Sequence, residues 1–291
     1  MNAIEIKGLR KQYGGFTLGG LDFTLPEGCI TGLVGENGAG KSTLLRLIVG
    51  MTRPDAGELR VLGAPVGGEA FRALREDIGY VPDETYFPEM LTPRDVGAVL
   101  SRAYSRWDAA SYAALLERFA LPVRKPVREL SRGMKMKLSL AAALAAALAH
   151  RPRLLVLDEA TGGLDPVARD GILDLLNDFT RDETHTVLLS SHILSDLEKI
   201  CDYVAFLRNG RLLFCEEKDR LTECCAVVRL PAREIGALPE NAVLARRRNG
   251  LAAELLVRRD ALPRGFTAER TTLEEIVLLL SASAETKEKI V

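Results

Sequence analysis

The chain has 291 residues, 39 Lys plus Arg against 40 Asp plus Glu, and a formal net charge of -1. With 47% hydrophobic and 27% charged residues, it has the balance of a globular protein of one to two domains, which excludes disordered and collagen-like chains. The near-neutral charge counts against a dedicated nucleic-acid binder.

No stretch reaches the ~18 to 20 apolar residues that span a bilayer. The nearest, Leu138 to Ala149, is short and interrupted by Ser139. The N-terminus has no apolar signal-peptide core, so a cytoplasmic protein is expected. The five cysteines are odd in number and form no CxxC, and His150, His185 and His192 are not spaced as metal ligands.

Strands are expected at Ile4 to Ile6, Leu21 to Leu25 and Cys29 to Val34, then a buried helix from Lys41 to Val49. Pro54-Asp55-Ala56-Gly57 predicts a turn before a strand from Glu58 to Leu62. Another strand is expected at Ile78 to Val81. Residues 93 to 149 carry no strand run and read as helices, with Leu140, Leu144 and Leu148 recurring on an alanine-rich face. Strands return at Leu154 to Leu157, Thr186 to Ser190 and Tyr203 to Leu207, and Asn209-Gly210 signals a hairpin. This is an α/β core with a helical insert.

From about Glu216 short strands at Ala226 to Leu230, Ala242 to Ala245 and Leu251 to Val257 precede a helix from Thr271 to Ser281. The run Arg246-Arg247-Arg248 reads as a solvated turn rather than a nucleic-acid patch, because no aromatic residue accompanies it.

Gly35-Glu36-Asn37-Gly38-Ala39-Gly40-Lys41-Ser42, followed by Thr43, matches GxxxxGK[ST] in full, between an apolar strand and an apolar helix. Glycines let the backbone curl so that N–H groups face phosphate oxygens, and the helix N-terminus favours the anion. Lys41 is expected to bridge the β- and γ-phosphates, with the Ser42 hydroxyl on Mg²⁺. Leu154 to Leu157 reads as a strand buried on both faces. It ends in Asp158, expected to hold Mg²⁺, and Glu159, placed to polarise a water for attack on the γ-phosphate. His192 follows the next such strand and is placed to donate to that phosphate.

Leu130-Ser131-Arg132-Gly133-Met134 precedes a long helix, which Ser131 is suited to cap. This segment resembles the LSGGQ signature of ATP-binding cassette (ABC) ATPases. The order phosphate loop, helical insert, signature, LLVLDE, ATGGLDP and SSH matches that family over residues 1 to about 215. The resemblance implies the P-loop NTPase fold, a mixed sheet with a helical subdomain at about 84–150, and a small C-terminal α+β extension over 216–291.

It also implies site roles. Tyr13 resembles the aromatic residue that stacks on adenine. Ser131 and Gly133 resemble the groups that contact the γ-phosphate on a second cassette, and Gly163-Leu164-Asp165 resembles the D-loop. Glu159 resembles the catalytic glutamate and His192 the switch histidine. ATP and Mg²⁺ are the implied cofactors. The implied partners are a second ABC ATPase subunit, giving a homodimer, and a separately encoded membrane permease, with no nucleic acid and no small molecule besides ATP.

The chain is then expected on the inner face of the cell membrane, powering transport in the export direction. A soluble ABC ATPase acting on ribosomes or DNA is the alternative. The single cassette, the absence of a long coiled-coil insertion and the near-neutral charge count against it. Asp83 stands where Gln is usual; it is shorter by one methylene, carries a charge and cannot donate a hydrogen bond when ionised, yet it can still approach Mg²⁺, and the resemblance makes it a trait of export-type subunits. Arg132 replaces a signature glycine, and Ala160 replaces a common proline. The segment Asp83 to Thr92, with Tyr86, Phe87 and Met90, is where the family docks its membrane partner.

Overall fold

The structure is a computed structural model that describes residues 1–83, 87–104, 106–150, 152–162 and 164–283. Tyr86, Gly163 and the side chain of Leu148, all singled out above, lie outside the described residues.

The chain begins with two long antiparallel strands, β1 (Asn2–Tyr13) and β2 (Phe16–Pro26). Both outrun the expected segments: polar residues at the far end of β1 gain tertiary partners described below, and β2 extends by pairing with that end. β3 (Ile30–Val34) leads through the phosphate loop into α1 (Lys41–Ile48). β4 (Ala56–Val61) begins inside the expected Pro54 to Gly57 turn. Gly57 has φ +84, and a Cβ there would meet the Gly8 carbonyl oxygen at 2.3 Å, so glycine lets β4 start this close to β1. Next come β5 (Ala64–Pro65), α2 (Glu69–Ala73) and β6 (Ile78–Val81).

The insert contains α3 (Pro93–Ala103), α4 (Ala109–Arg118) and α5 (Arg132–His150). A Thr92–Asp95 capping box opens α3 and Asp108 caps α4. Leu138, Leu140 and Leu144 of α5 are fully buried, and the alanines between them let α5 approach α4 and β6 closely. Phe87 packs against the same core, whereas Met90 is exposed.

The chain then alternates β7 (Leu154–Asp158), α6 (Pro166–Phe179), β8 (Thr186–Ser190), α7 (Leu194–Ile200), β9 (Tyr203–Arg208) and β10 (Arg211–Glu217). The main sheet has the order β10-β9-β3-β8-β7-β6, parallel except for β10. A second, antiparallel sheet has the order β2-β1-β4-β5. β3, β7 and β8 are buried at every position, which explains their unbroken apolar runs.

After β10 come α8 (Lys218–Cys224), β11 (Cys225–Pro231), β12 (Val243–Asn249), β13 (Ala252–Arg258) and α9 (Leu273–Ala282). The strands form an antiparallel sheet, β11-β13-β12. α9 packs on this sheet and on α7, so Leu273 and Ile276 share a core with Leu197 of the main body. Arg246 to Arg248 lie on β12 and not in a turn. Arg246 pairs with Glu240, and the Arg247 guanidinium donates to Glu254 at 2.8 Å. These partners make the run part of a paired surface.

All five cysteines are free. Burial pushes the Cys29 thiol up to about 11 and those of Cys215 and Cys225 up to about 12. None of these three is poised as a nucleophile. Among the described residues no helix is long and apolar enough to cross a membrane.

Candidate nucleotide site

The phosphate loop joins β3 to α1 at the carboxyl edge of the main sheet, where open α/β folds bind ligands. Its shape depends on close backbone contact. A Cβ on Gly35 would lie 2.3 Å from the Leu207 carbonyl oxygen, so only glycine lets the loop pass β9 this closely. Gly40, at φ +106, opens α1 with no side-chain cap. The first-turn N–H groups of α1 therefore face outward as an anion site. Ala39 and Lys41 are buried, Ser42 and Thr43 are half-buried, and Glu36, Asn37 and Gly38 are exposed.

Lys41 is only 6% exposed. Its ammonium donates to the carbonyl of Gly35 at 2.6 Å and pairs with Glu159 Oε1 at 3.2 Å. The other carboxylate oxygen, Glu159 Oε2, lies 2.5 Å from His192 Nδ1. Lys41, Glu159 and His192 thus form one continuous chain from the buried floor of the site to its mouth. The His192 side chain is 60% exposed there.

Glu159 sits at φ +49, an uncommon conformation for a residue with a side chain. Three hydrogen bonds hold it. Its N–H donates to the Ser190 carbonyl at 3.1 Å and to Ser190 Oγ at 2.9 Å. Its carbonyl accepts the Gly162 N–H at 2.9 Å. Strain of this kind collects where a side chain must be aimed.

Ser190 serves both carboxylates. Its hydroxyl donates to Asp158 Oδ1 at 2.7 Å while accepting the Glu159 N–H. Asp158 is 1% exposed, and β7 pairs it directly with Ser190 on β8. Sequence reasoning missed Ser190; its only signal is a small hydroxyl closing an apolar strand. Ser190→Ala should cost about 1–2 kcal/mol, by orphaning one buried contact and freeing the Asp158 carboxylate. It should also lower ATP turnover severalfold. Parallel denaturant melts and steady-state ATPase assays check this, and wild-type values in both would remove Ser190 from the site.

Ser131 caps α5, its hydroxyl accepting the Met134 N–H at 3.2 Å. Ser131 is exposed, Gly133 is half-buried, and no hydrogen bond of Ser131 among the described residues reaches the phosphate loop. Asp165 caps α6 by accepting the Ala168 N–H at 2.9 Å, and this bond first, with Lys137, holds its carboxyl below the usual range. Lys137 Nζ reaches Asp165 at 3.3 Å, so the signature helix and α6 are tied together by a residue that sequence reasoning also missed.

Asp83 is exposed just beyond β6. Burial, with the nearby Asp158 charge, pushes the Tyr80 hydroxyl up, and Arg46 and Asp83 also act on it. Tyr13 closes β1 with 43% exposure. A cleft of about 1440 Å³, lined by Arg10, Phe16, Gly38, Arg208 and Asn209 among others, runs from the phosphate loop between β2 and the β9–β10 hairpin.

Residues 18–162 match the ABC transporter family. The chain is 40% identical over 217 residues to the Nod factor export ATP-binding protein I of Rhizobium sp. (strain N33), covering 72% of this chain and 69% of that one. It is 34% identical over 221 residues to the ABC transporter ATP-binding protein YtrB of Bacillus subtilis (strain 168), covering 76% and 74%. A solved ATP-binding subunit of an ABC transporter superposes with a TM-score of 0.66 at 28% identity, over 76% of this chain and 92% of that one.

Proposed function

The chain belongs to the ABC transporter family as an ATP-binding subunit, and on that premise we propose how its residues run the ATPase. ATP enters with its triphosphate on the uncapped N-terminus of α1. Its γ-phosphate draws Lys41 away from Glu159. Glu159, released from the ammonium and aimed by Ser190, then orients a water in line with the γ-phosphorus and takes its proton. His192 moves with Glu159 and donates to the phosphoryl oxygens. The observation that carries this reading is the Lys41–Glu159–His192 chain across the mouth of the phosphate loop.

The residues present also fit Mg²⁺. No cluster of three acidic, His or Cys groups exists among the described residues, so the protein alone makes no cage. Asp158 accepts one hydrogen bond, from Ser190, and Ser42 follows Lys41 in the first turn of α1. A small cation completed by phosphate oxygens and water suits that sparse donor set. When bound, it neutralises charge on the β- and γ-phosphates. Asp83, exposed just beyond β6, would add a further acid toward that cation.

The exposed Ser131, with Gly133, serves a γ-phosphate on a second copy of the cassette, which makes the working unit a head-to-tail homodimer. A separately encoded permease docks on the helical insert, where Met90 and Val99 are exposed. The subunit then works at the inner face of the membrane. The Nod factor export relatives support the export direction. The relatives named above are transport ATP-binding proteins, which favours this reading over an ATPase acting on ribosomes or DNA. The test is capture from detergent-solubilised source membranes on the Glu159→Gln protein loaded with ATP. Recovery of a polytopic membrane protein is the expected result; recovery of ribosomes instead would overturn the proposal.

A further inference from the structure

The far end of β1 is fastened by a residue outside its own sheet register. Pairing between β1 and β4 shifts between Lys7 and Arg10 and ends at Ala56. Asp55, one residue before β4, takes over. Its N–H donates to the Arg10 carbonyl at 2.8 Å. One carboxylate oxygen accepts the Gln12 N–H at 2.7 Å, and the other accepts the Lys11 ammonium at 2.8 Å. Asp55 therefore supplies the acceptor that a longer β4 would have supplied, and it pins a lysine on the same strand.

That lysine has a second contact. Lys11 Nζ lies 5.6 Å from the centroid of the Tyr13 ring, within cation–π range. The Lys11 side chain is only 18% exposed, so its stem is packed and its ammonium is not free to roam. Hydrogen bonds from Lys11 first, then Gln12, hold the Asp55 carboxyl below the usual carboxylate range, so it stays ionised at neutral pH. Tyr13 itself is followed by Gly14 and Gly15, with Gly15 at φ +92. Those glycines give the ring no support from the C-terminal side.

We infer that Asp55 and Lys11 are positioning residues for the nucleobase: together they hold the Tyr13 ring with one face on the Lys11 ammonium and the other free for a purine. This rests on the reading of Tyr13 as the residue that stacks on adenine. Neither residue touches the nucleotide. Their effect is to remove the rotamer freedom that an exposed tyrosine beside two glycines would otherwise lose on binding. Ordering the ring in advance raises affinity for the base and leaves the triphosphate contacts alone.

The two parts of the ligand can be measured separately. ATP and inorganic tripolyphosphate carry similar anions, and only ATP carries the base. Asp55→Ala and Lys11→Met should each weaken ATP binding about two- to fivefold, the range of an exposed cation–π contact, with tripolyphosphate binding unchanged. Lys11→Arg, which keeps the cation and the partner for Asp55, should restore ATP binding. Equal loss for both ligands would overturn the proposal in favour of a general structural role, and unchanged ATP affinity in both variants would overturn it outright. Tyr13→Ala separates the two layers of the argument. If it leaves the ratio of ATP to tripolyphosphate affinity unaltered, the stacking reading fails and the proposal with it. If Tyr13→Ala alone alters the ratio, stacking stands and the positioning role is refuted.

Discussion

Glu159→Gln should abolish most ATP turnover, by about 10²- to 10⁴-fold, the range a positioned general base contributes. ATP binding should survive and tighten. In the resting site the Glu159 carboxylate holds the Lys41 ammonium at 3.2 Å, and Lys41 is buried. Incoming phosphate must displace that carboxylate, so the free enzyme's ion pair competes with the ligand. A glutamine keeps the shape and the His192 contact but gives up the charge, and Lys41 is released to the phosphate. The variant should therefore accumulate as an ATP-loaded dimer. Equilibrium ATP binding, single-turnover hydrolysis and light scattering with ATP check the three parts. Turnover within about threefold of wild type would remove Glu159 as the base. Weakened ATP binding would show that the Lys41–Glu159 pair prepares Lys41 instead of competing for it.

Most of the site's main parts were legible because chemistry and secondary structure coincide there. The phosphate loop sits between an apolar strand and an apolar helix, and Asp158-Glu159 closes a strand buried on both faces, so both motifs announce their surroundings. The parts that were not legible depend on partners distant in sequence. β1 was readable only at Ile4 to Ile6, yet it runs to Tyr13, because Asp55 supplies the bonds that polar Lys11 and Gln12 need. Ser190 looks like the last residue of an apolar strand until the β7–β8 register sets it against Asp158. Lys137 is one of several charges on α5, and only the packing of α6 reveals its partner. α8 was hidden in a charged stretch whose helix forms where β10 gives way to the C-terminal sheet. Local patterns identify groups that act through their neighbours in sequence, and they miss groups that act across the fold.

Gly210→Ala should strongly destabilise the ATPase body. Asn209 and Gly210 form the two-residue loop between β9 and β10, at φ +48 and +75. This is the paired left-handed geometry that matches strand twist. Conformation alone makes alanine at Gly210 cost about 1 kcal/mol. Contact adds to that cost. A Cβ would stand 2.0 Å from the Thr17 carbonyl oxygen and 2.9 Å from its carbon, both backbone atoms of β2. The Gly210 N–H donates to the Ala39 carbonyl at 3.0 Å, and the Gly210 carbonyl accepts the Gly19 N–H at 2.9 Å. One residue thus joins the main sheet, the edge of the second sheet and the phosphate loop. To relieve the clash the hairpin must retreat from β2, and retreat breaks both bonds. The expected loss is about 2–4 kcal/mol of stability. ATP affinity should fall too, because Ala39 loses the contact that fixes the loop. Asn209→Gly is the control, since it accepts the same φ and should leave both quantities within about 0.5 kcal/mol. Thermal melts and ATP titrations of the two variants decide it. A Gly210→Ala protein with wild-type stability and affinity would mean that the hairpin tip can move without disturbing the phosphate loop.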